Sequence, residues 1–200
     1  MIRRLKSAAS PVYGSAKPRV AWRPPLNARR SLYRGRVVDL GMEAVCLPDG
    51  RTLELEVVRH PGGAAVVALN AQHEICLLRQ YRHAGGGWLW ELPAGKLEPG
   101  EAALTTAQRE LEEEAGLRAV HWQALANVLT TPGFCDEAIH LFLARELHTV
   151  PVQHQEHECI EVHWFPFTAA LAMAQRGEIR DAKTLLGLFY TATYGADHTP

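Results

Sequence analysis

Long hydrophobic runs are absent from this chain of 200 residues. Because it lacks about eighteen consecutive apolar residues, the sequence predicts no membrane-spanning helix. Cysteine is scarce as well, and the four cysteines, Cys46, Cys76, Cys135 and Cys159, include no Cys-x-x-Cys pair. Their spacing argues against a zinc knuckle and a disulfide framework, and it predicts a protein of the reducing cytoplasm. Internal repeats and low-complexity tracts are also missing, which excludes repeat architectures.

Acidic residues are missing from one end of the chain. Residues 1–36 contain ten of the 21 Lys and Arg residues and none of the 22 Asp and Glu residues. The other residues therefore carry eleven basic against 22 acidic side chains. An acid-free, Arg-rich arm is typical of a targeting peptide or of a segment that contacts an anionic surface. Its prolines equally favour a disordered extension with no specific role, so we expect residues 1–30 to be disordered and do not expect a nucleic-acid partner.

What is present predicts one folded domain, because 47% of the residues are hydrophobic. Alternating apolar and polar residues around the turn Pro48-Asp49-Gly50 predict a small antiparallel strand region over residues 31–60. Further strand-like runs lie near residues 64–70, 74–81, 119–130, 138–145 and 159–166, and helical stretches near 101–115, 167–176 and 181–192. This order predicts a mixed α/β domain over residues 61–194.

The helix predicted over residues 101–115 concentrates glutamates on one face. At about 100° per residue, Glu110, Glu113 and Glu114 share that face, whereas Glu101 and Glu112 fall on the solvent-facing side. The neighbouring apolar stripe consists of Leu104, Ala107, Leu111 and Ala115. The three glutamates therefore border the core, where a cleft can form.

Clustered glutamates alone do not indicate a metal site. Repulsion between such neighbours costs about 0.2–0.5 kcal/mol per pair, and an ion pair between Arg109 and Glu113 relieves it. A solvated helix face therefore explains them equally well. The Gly- and Pro-rich residues 83–101 favour another interpretation, because a loop before a helix can present N–H groups to phosphate. Together with carboxylates that bind Mg²⁺, this loop indicates diphosphate chemistry.

The segment GKLEPGEAALTTAQRELEEEAGL resembles the signature of the Nudix hydrolases, which is Gly, five residues, Glu, seven residues, then Arg-Glu-aliphatic-x-Glu-Glu-x-Gly-aliphatic. Every fixed position is met, at Gly95, Glu101, Arg109, Glu110, Leu111, Glu113, Glu114, Gly116 and Leu117. The flanking stretches LLRQYR, WELPAG, TPGFCDE and GEIRDAKTLLGL are similar to the ADP-ribose pyrophosphatase branch. The resemblance covers about residues 31–192. It implies a Nudix α/β/α sandwich with a mixed sheet.

The resemblance also implies a divalent cation, Mg²⁺ or Mn²⁺. It implies that Glu110 and Glu114 hold the ion, with Glu113 as a further ligand or supporting acid. Arg109 is implied to orient these glutamates. The carbonyl of Ala94 is implied as another ligand. The implied supporting residues are Gly95 and Glu101.

After the signature, Glu137 matches the glutamate that acts as general base in the ADP-ribose pyrophosphatase branch. Its neighbour Asp136 could take that role instead. The alternative interpretation of Glu137 is a surface carboxylate of a loop. The choice between the two depends on which carboxylate reaches the attacking water.

Substrate contacts are predicted before and after the signature. Arg79 and Arg82, near the end of a strand, are candidates to bind phosphate or the terminal ribose, and a surface salt bridge is the alternative for each. Gly133 and Phe134 are candidates to line the same pocket. The aromatic candidates for stacking on a base are Trp22, Tyr33, Trp88 and Trp90, although a Trp beside a buried strand is more often part of the core.

The implied activity is hydrolysis of ADP-ribose to AMP and ribose 5-phosphate, and GDP-mannose or another nucleoside diphosphate sugar is the alternative substrate. A third hypothesis is a non-catalytic, nucleotide-sensing regulator, but such modules commonly lose signature residues that are complete here. Relatives in the branch commonly form homodimers, which we expect to involve residues 31–60. His154 and His157 lack the order of a zinc motif and predict only a polar loop.

Overall fold

The computed structural model describes residues 29–152 and 159–194, which form ten strands and three helices. The strands are β1 (Arg29–Arg34), β2 (Asp39–Cys46), β3 (Thr52–Arg59), β4 (Gly63–Ala68), β5 (Glu74–Arg82), β6 (Gly87–Glu91), β7 (Ala94–Lys96), β8 (Leu117–Leu129), β9 (Ala138–Thr149) and β10 (Ile160–Pro166). The helices are α1 (Ala103–Ala115), α2 (Phe167–Gln175) and α3 (Ala182–Tyr194). The predictions for residues 1–28, including Trp22, and for His154 and His157 lie outside the described residues.

The first three strands form an antiparallel sheet of their own, in the order β1-β2-β3, as the alternating pattern predicts. Gly50 closes the β2–β3 turn with φ +85°, a conformation that favours glycine. Glu43 of β2 is buried and lies between Arg29 and Arg59, both of which donate hydrogen bonds to its carboxylate. These charged hydrogen bonds link all three strands across one face of the sheet.

Two further sheets form the body of the protein, with strand orders β7-β4-β9-β8 and β10-β5-β6. The pairing of β4 with β9 is parallel and the other pairings are antiparallel, so the four-stranded sheet is mixed, as predicted. All six residues of β4, Gly-Ala-Ala-Val-Val-Ala, are buried. A strand buried along its whole length must be covered on both faces.

The alternating side chains of β4 enter two different cores. Val66 packs in the core that contains Leu111 of α1, whereas Val67 packs in the core that contains Met173 of α2 and Leu188 of α3. Helix α1 therefore covers one face of the body, and α2 and α3 cover the other. This layering confirms the predicted α/β/α sandwich.

Helix α1 differs in two respects from the prediction. It begins at Ala103 rather than Glu101, and Leu104 is 38% exposed instead of buried in the apolar stripe. The buried face consists of Thr106, Ala107, Glu110, Leu111, Glu114 and Ala115. Hydrophobicity alone cannot predict this rotation of the helix, because two of the inward-facing residues are glutamates.

Helix α3 lies close to the body of the protein. A Cβ atom at Gly187 would be only 2.7 Å from Leu92 and 2.9 Å from Val67, so the missing side chain allows this close approach. Asp181 precedes the helix, and its carboxylate accepts a hydrogen bond from the backbone N–H of Thr184. In the described part of the chain, no helix is both long and apolar enough to cross a membrane.

Candidate active site

Two glutamates of α1 lie against the backbone of β7. Glu114 accepts a 2.8 Å hydrogen bond from the N–H of Ala94, and Glu114 and Glu110 are only 4% and 9% exposed. A Cβ atom at Gly95 would lie 1.8 Å from a carboxylate oxygen of Glu110, so only glycine leaves room for this carboxylate. The structure therefore brings together Glu110, Glu114, Ala94 and Gly95, as the signature predicts.

Arg109 joins three carboxylates around the start of α1. Its Nη1 lies 2.7 Å from Glu110 and 3.3 Å from Glu113, and its Nε lies 3.2 Å from Glu101. Partial burial favours the neutral guanidinium, but Glu101 and Glu110 outweigh that effect and raise the pKa of Arg109. The pairing of Arg109 with Glu113 confirms the predicted relief of repulsion. Glu113 lies on the outer side of this arginine.

Glu101 does not face away from the other glutamates, and that prediction is wrong. Because Glu101 precedes the first helical turn, the angle of about 100° per residue does not apply to it. Its carboxylate accepts hydrogen bonds from Arg109 and from the hydroxyl of Thr106 at 2.7 Å. The bond from Arg109, followed by that from Thr106, lowers the pKa of Glu101 to about 2. Glu101 therefore stays ionised and holds Arg109 in place.

Glu112 lies on the outer face of α1, as predicted. Its carboxylate accepts two 2.8 Å hydrogen bonds from Arg118, and these bonds lower the pKa of Glu112. The four glutamates of α1 thus divide between an inner group, Glu110, Glu113 and Glu114, and the surface ion pair of Glu112.

The carboxylates of the inner group can be compared with the oxygen ligands that a divalent cation needs. Among residues 29–152 and 159–194, no three His, Cys, Asp or Glu side chains are gathered closely enough to enclose an ion. Mg²⁺, however, usually binds one or two carboxylates and completes its shell with water and substrate phosphates. Glu110, Glu114 and the carbonyl of Ala94 provide such a partial set of oxygen ligands. They fit an ion shared with a phosphate substrate rather than an enclosed structural metal.

The loop of residues 130–137 is attached to the end of β3. The N–H of Val58 donates to the carbonyl of Phe134, and the N–H of Asp136 donates back to the carbonyl of Val58. Asp136 also lies 2.9 Å from Arg59 and accepts a 2.7 Å bond from the N–H of His60. With both of its carboxylate oxygens engaged, Asp136 has a clear structural role.

The side chain of Glu137 is as exposed as that of Asp136, but no arginine is paired with it among the described residues. Glu137 is 27% exposed, accepts a 2.7 Å bond from the hydroxyl of Thr130, and lies 3.3 Å from Nδ1 of His60. Gly63 of β4 pairs with Ile139 on one side and with Lys96 on the other. Since neighbouring strands are about 4.8 Å apart, the start of β9 and the β7 backbone lie about 10 Å from each other. Glu137 therefore reaches the same end of β4 as the inner glutamates.

Gly133 and Phe134 occupy the outer part of the same loop. Phe134 is exposed, and a Cβ atom at Gly133 would meet no described atom within 4 Å. Both residues therefore border open space, and their place in a substrate pocket stays a prediction.

Arg82 and Arg79 have different surroundings. Arg82 donates two hydrogen bonds, of 2.9 and 3.0 Å, to the buried carboxylate of Glu91, which also accepts a 2.6 Å bond from Lys183. Burial raises the pKa of Glu91, but Arg82 and Lys183 outweigh it and the net pKa is lowered. Arg79 instead forms an exposed 3.4 Å ion pair with Glu161, the alternative that the sequence leaves open.

The described aromatic candidates also differ in exposure. Trp90 packs edge-on against Phe165 and belongs to the core, whereas Trp88 is exposed and carries the guanidinium of Arg79 at 5.2 Å from its ring centroid. Tyr33 lies exposed on the N-terminal sheet. Sequence reasoning missed the contacts of Lys183 and Thr184 with residues 91 and 92, because no local pattern links segments so far apart.

Comparison with known proteins agrees with this geometry. The NUDIX domain family matches residues 59–187. An ADP-ribose pyrophosphatase of Bacillus subtilis (strain 168) is 39% identical over 82% of this chain and 89% of its own length. One of Mycobacterium tuberculosis is 40% identical over 79% of this chain and 78% of its own length. A GDP-mannose pyrophosphatase of Escherichia coli is 34% identical over 69% of this chain and 81% of its own length.

A solved structure shows the same fold. The crystal structure of an ADP compounds hydrolase has a TM-score of 0.73 with this chain and covers 84% of it and 92% of that chain, at 19% sequence identity. At that identity the likeness concerns the fold alone. The domain match and the relatives identify the family. The chain therefore belongs to the Nudix hydrolases, in the branch that contains the ADP-ribose pyrophosphatases.

Proposed function

We propose that this Nudix hydrolase cleaves the diphosphate linkage of ADP-ribose, or of a related nucleoside diphosphate sugar, with Mg²⁺ or Mn²⁺ as cofactor. The observation that carries this proposal is the placement of Glu110 and Glu114 against the backbone of Ala94 and Gly95. Two buried carboxylates beside a loop backbone suit a cation that a diphosphate helps to bind. The names of the two ADP-ribose pyrophosphatase relatives support the substrate class.

The chain provides the oxygen ligands for this cation and holds them in place. Glu110, Glu114 and the carbonyl of Ala94 would hold the cation, which when bound supplies charge neutralisation of the diphosphate and acidifies a water molecule. Arg109 orients Glu110 through the 2.7 Å ion pair and Glu101 holds Arg109. Glu113, on the outer side of Arg109, is placed to support this group or to reach a further cation.

Glu137 is the proposed general base. The hydroxyl of Thr130 donates to one of its oxygens, which orients the carboxylate, and the carboxylate still retains acceptor capacity. It removes a proton from the attacking water, and the resulting hydroxide forms a bond to phosphorus while the bond from phosphorus to the bridging oxygen breaks. With ADP-ribose the products are AMP and ribose 5-phosphate.

The proposed substrate contacts come from the 130–137 loop and from β5. Phe134 and Gly133 border the pocket on the side of the 130–137 loop. Arg82 is proposed to contact the substrate because its side chain is 43% exposed although it is paired with Glu91. Arg79 is placed to contact an outer part of the substrate, because its ion pair with Glu161 is exposed and therefore weak.

A homodimer in the cytoplasm is part of the proposal. The N-terminal sheet exposes several large apolar side chains, which are Leu32, Tyr33, Leu53 and Leu55. We propose that a second copy of the chain covers exposed apolar side chains of this sheet. The cytoplasm is proposed because the cysteine spacing contains no disulfide framework.

A substrate panel tests the activity. We expect the purified protein with Mg²⁺ to hydrolyse ADP-ribose faster than GDP-mannose or NADH. Faster turnover of GDP-mannose would instead support the alternative substrate, which the Escherichia coli relative favours. No turnover of any nucleoside diphosphate sugar would contradict the proposal and favour a nucleotide-sensing regulator.

A pair of variants tests the metal site. Glu114→Gln should reduce turnover about a hundredfold or more, because the charge that holds the cation is lost. Glu112→Gln on the outer face of α1 is the matched control and should stay close to the parent protein. Equal activity of both variants would show that the inner glutamates do not hold the cation.

A further inference from the structure

A cluster of polar residues connects the start of α3 to the segment that enters β7. Its members, called the cap cluster below, are Glu91, Asp181, Lys183 and Thr184. Lys183 Nζ lies 2.6 Å from Glu91 and 3.0 Å from Asp181. The hydroxyl of Thr184 donates a 2.6 Å bond to Asp181. The same hydroxyl accepts a 2.9 Å bond from the N–H of Leu92.

The cap cluster fixes a short and important stretch of backbone. Leu92 is bound by Thr184, the carbonyl of Pro93 accepts a 2.9 Å bond from Val66, and the N–H of Ala94 donates to Glu114. Each residue from Leu92 to Ala94 thus has one backbone group that is hydrogen-bonded to another element: Leu92 to α3, Pro93 to β4 and Ala94 to α1. A shift at Leu92 would move Ala94, which lies only two residues further along the chain.

We propose that Thr184 is a positioning residue for the metal-binding backbone of Ala94 and Gly95, acting through Leu92. This inference rests on the function proposed above. Thr184 is completely buried and lies on the opposite side of the body from α1, so it does not touch the proposed cation. Its effect reaches the ligands through the backbone, as outer partners of metal ligands commonly do.

The packing of α3 makes this connection stiff. At Gly187, one turn after the cap cluster, the helix backbone approaches Leu92 and Val67 so closely that a Cβ atom would lie within 3 Å of both. The helix therefore cannot move independently of Leu92. The position of α3 and the position of the β7 backbone are set together.

A second threonine of the same helix provides a matched control. Thr191 is 5% exposed, similar to Thr184, but its hydroxyl has no hydrogen-bond partner among the described residues. Replacing Thr191 with valine keeps the side-chain shape and breaks no described hydrogen bond. Replacing Thr184 with valine also keeps the shape, but it leaves the N–H of Leu92 buried without its acceptor.

The experiment measures Mn²⁺ binding by electron paramagnetic resonance in the full-length variants Thr184→Val, Thr184→Ser and Thr191→Val, without substrate. Thr184→Val should bind Mn²⁺ about tenfold more weakly than the parent, in line with other outer partners of metal ligands. Thr184→Ser, which retains the hydroxyl, and Thr191→Val should bind Mn²⁺ as the parent does. Thermal unfolding of each metal-free variant shows whether the fold is retained.

Two results would overturn the inference while leaving the proposed function intact. One is parental Mn²⁺ affinity in Thr184→Val, and the other is equal weakening in Thr191→Val, which would indicate a general effect of α3 stability. A parent protein that binds no Mn²⁺ and hydrolyses no nucleoside diphosphate sugar would overturn both. If Thr184→Val does not fold, Lys183→Met tests the same cluster. It should also weaken Mn²⁺ binding, and unchanged affinity would contradict the role of the cluster.

Discussion

The two segments that border the site, residues 92–95 and residues 130–137, are held in opposite ways. Residues 92–95 are bound mainly through buried backbone groups that contact α1, α3 and β4. Residues 130–137 are bound through Asp136 to Arg59 and His60 at the end of β3, and the side chain of Phe134 in the middle of the segment is exposed. The backbone of the first segment is therefore held from several directions. The second segment is hydrogen-bonded to the end of β3 on one side and exposed to solvent on the other.

This difference matches the tasks that we propose for the two segments. Ligands of a cation require fixed positions, and buried hydrogen bonds from several elements provide them. A base and a substrate-contacting loop must instead admit a substrate, and loops with exposed side chains allow such adjustment. Substitutions that add or remove contacts should consequently have larger effects in residues 92–95 than in residues 130–137.

The largest expected effect on turnover comes from a glycine-to-alanine substitution in the first segment, compared with the same substitution in the second. Gly95→Ala should reduce turnover about a thousandfold, because its Cβ would displace the carboxylate of Glu110 and each 1.4 kcal/mol lost is a factor of about ten. Gly133→Ala should change turnover only slightly, since its Cβ would meet no described atom within 4 Å. Steady-state kinetics with ADP-ribose compare the two. Similar losses would contradict the proposed difference between the segments.

The next effect concerns the two carboxylates of the second segment. Glu137→Gln should lower kcat about a hundredfold or more, which is typical for removal of a general base, with little change in thermal stability. Asp136→Asn should lower kcat less and thermal stability more, because Asp136 holds the loop to Arg59 and His60. Kinetics and thermal unfolding of both variants provide the comparison. The reverse order of the kcat values would assign the base to Asp136.

A smaller effect is expected on the free energy of unfolding. Arg59→Met should lower it by about 2 kcal/mol, because the buried carboxylate of Glu43 would lose one of its two described ion-pair partners. Arg79→Met should lower it by less than about 1 kcal/mol, since its ion pair with Glu161 is exposed. Urea unfolding at neutral pH measures both. Equal values would show that the anchor at β3 contributes no more than a surface pair.

The smallest effect concerns the reactivity of two cysteine thiols, Cys76 and Cys135, and does not involve catalytic activity. Burial, and then the negative charge of Glu114, raise the pKa of the Cys76 thiol to about 12. A raised pKa keeps the thiol protonated at pH 7 to 9, and only the thiolate reacts with iodoacetamide. Cys135 in the second segment is half-buried and should react in the folded protein. Mass spectrometry of the labelled peptides should find Cys76 modified only after unfolding.

Much of the site could be predicted from the sequence where the pattern is local. The spacing of Glu110, Glu113 and Glu114 within one helix placed them on one side, and Gly95 belongs to the same signature. The same helical spacing correctly predicts that Glu112 lies on the outer face of α1. The predicted burial of Leu104 is wrong. The rotation of α1 about its axis is set by the carboxylates that face the β7 backbone, and an apolar stripe alone does not predict it.

Other contacts had no local signal. Glu101 precedes the helix, so its position depends on the loop and on Arg109 rather than on helical periodicity. The bonds from Arg59 to Asp136 and from Lys183 to Glu91 join residues that are 77 and 92 positions apart. A single sequence contains no pattern that pairs such residues. They become visible only when the strands and helices have been assembled.

The parallel pairing of β4 with β9 has a consequence for the way the chain folds as it is synthesised. β4 is made early and is apolar along its whole length, yet the strand that pairs with it in parallel is made only after α1 and β8. Such distant pairing is slow, because a long loop must close before the contact forms. Until β9 leaves the ribosome, one edge of the apolar strand β4 lacks its partner, and exposed strand edges of this kind make a nascent chain prone to aggregation.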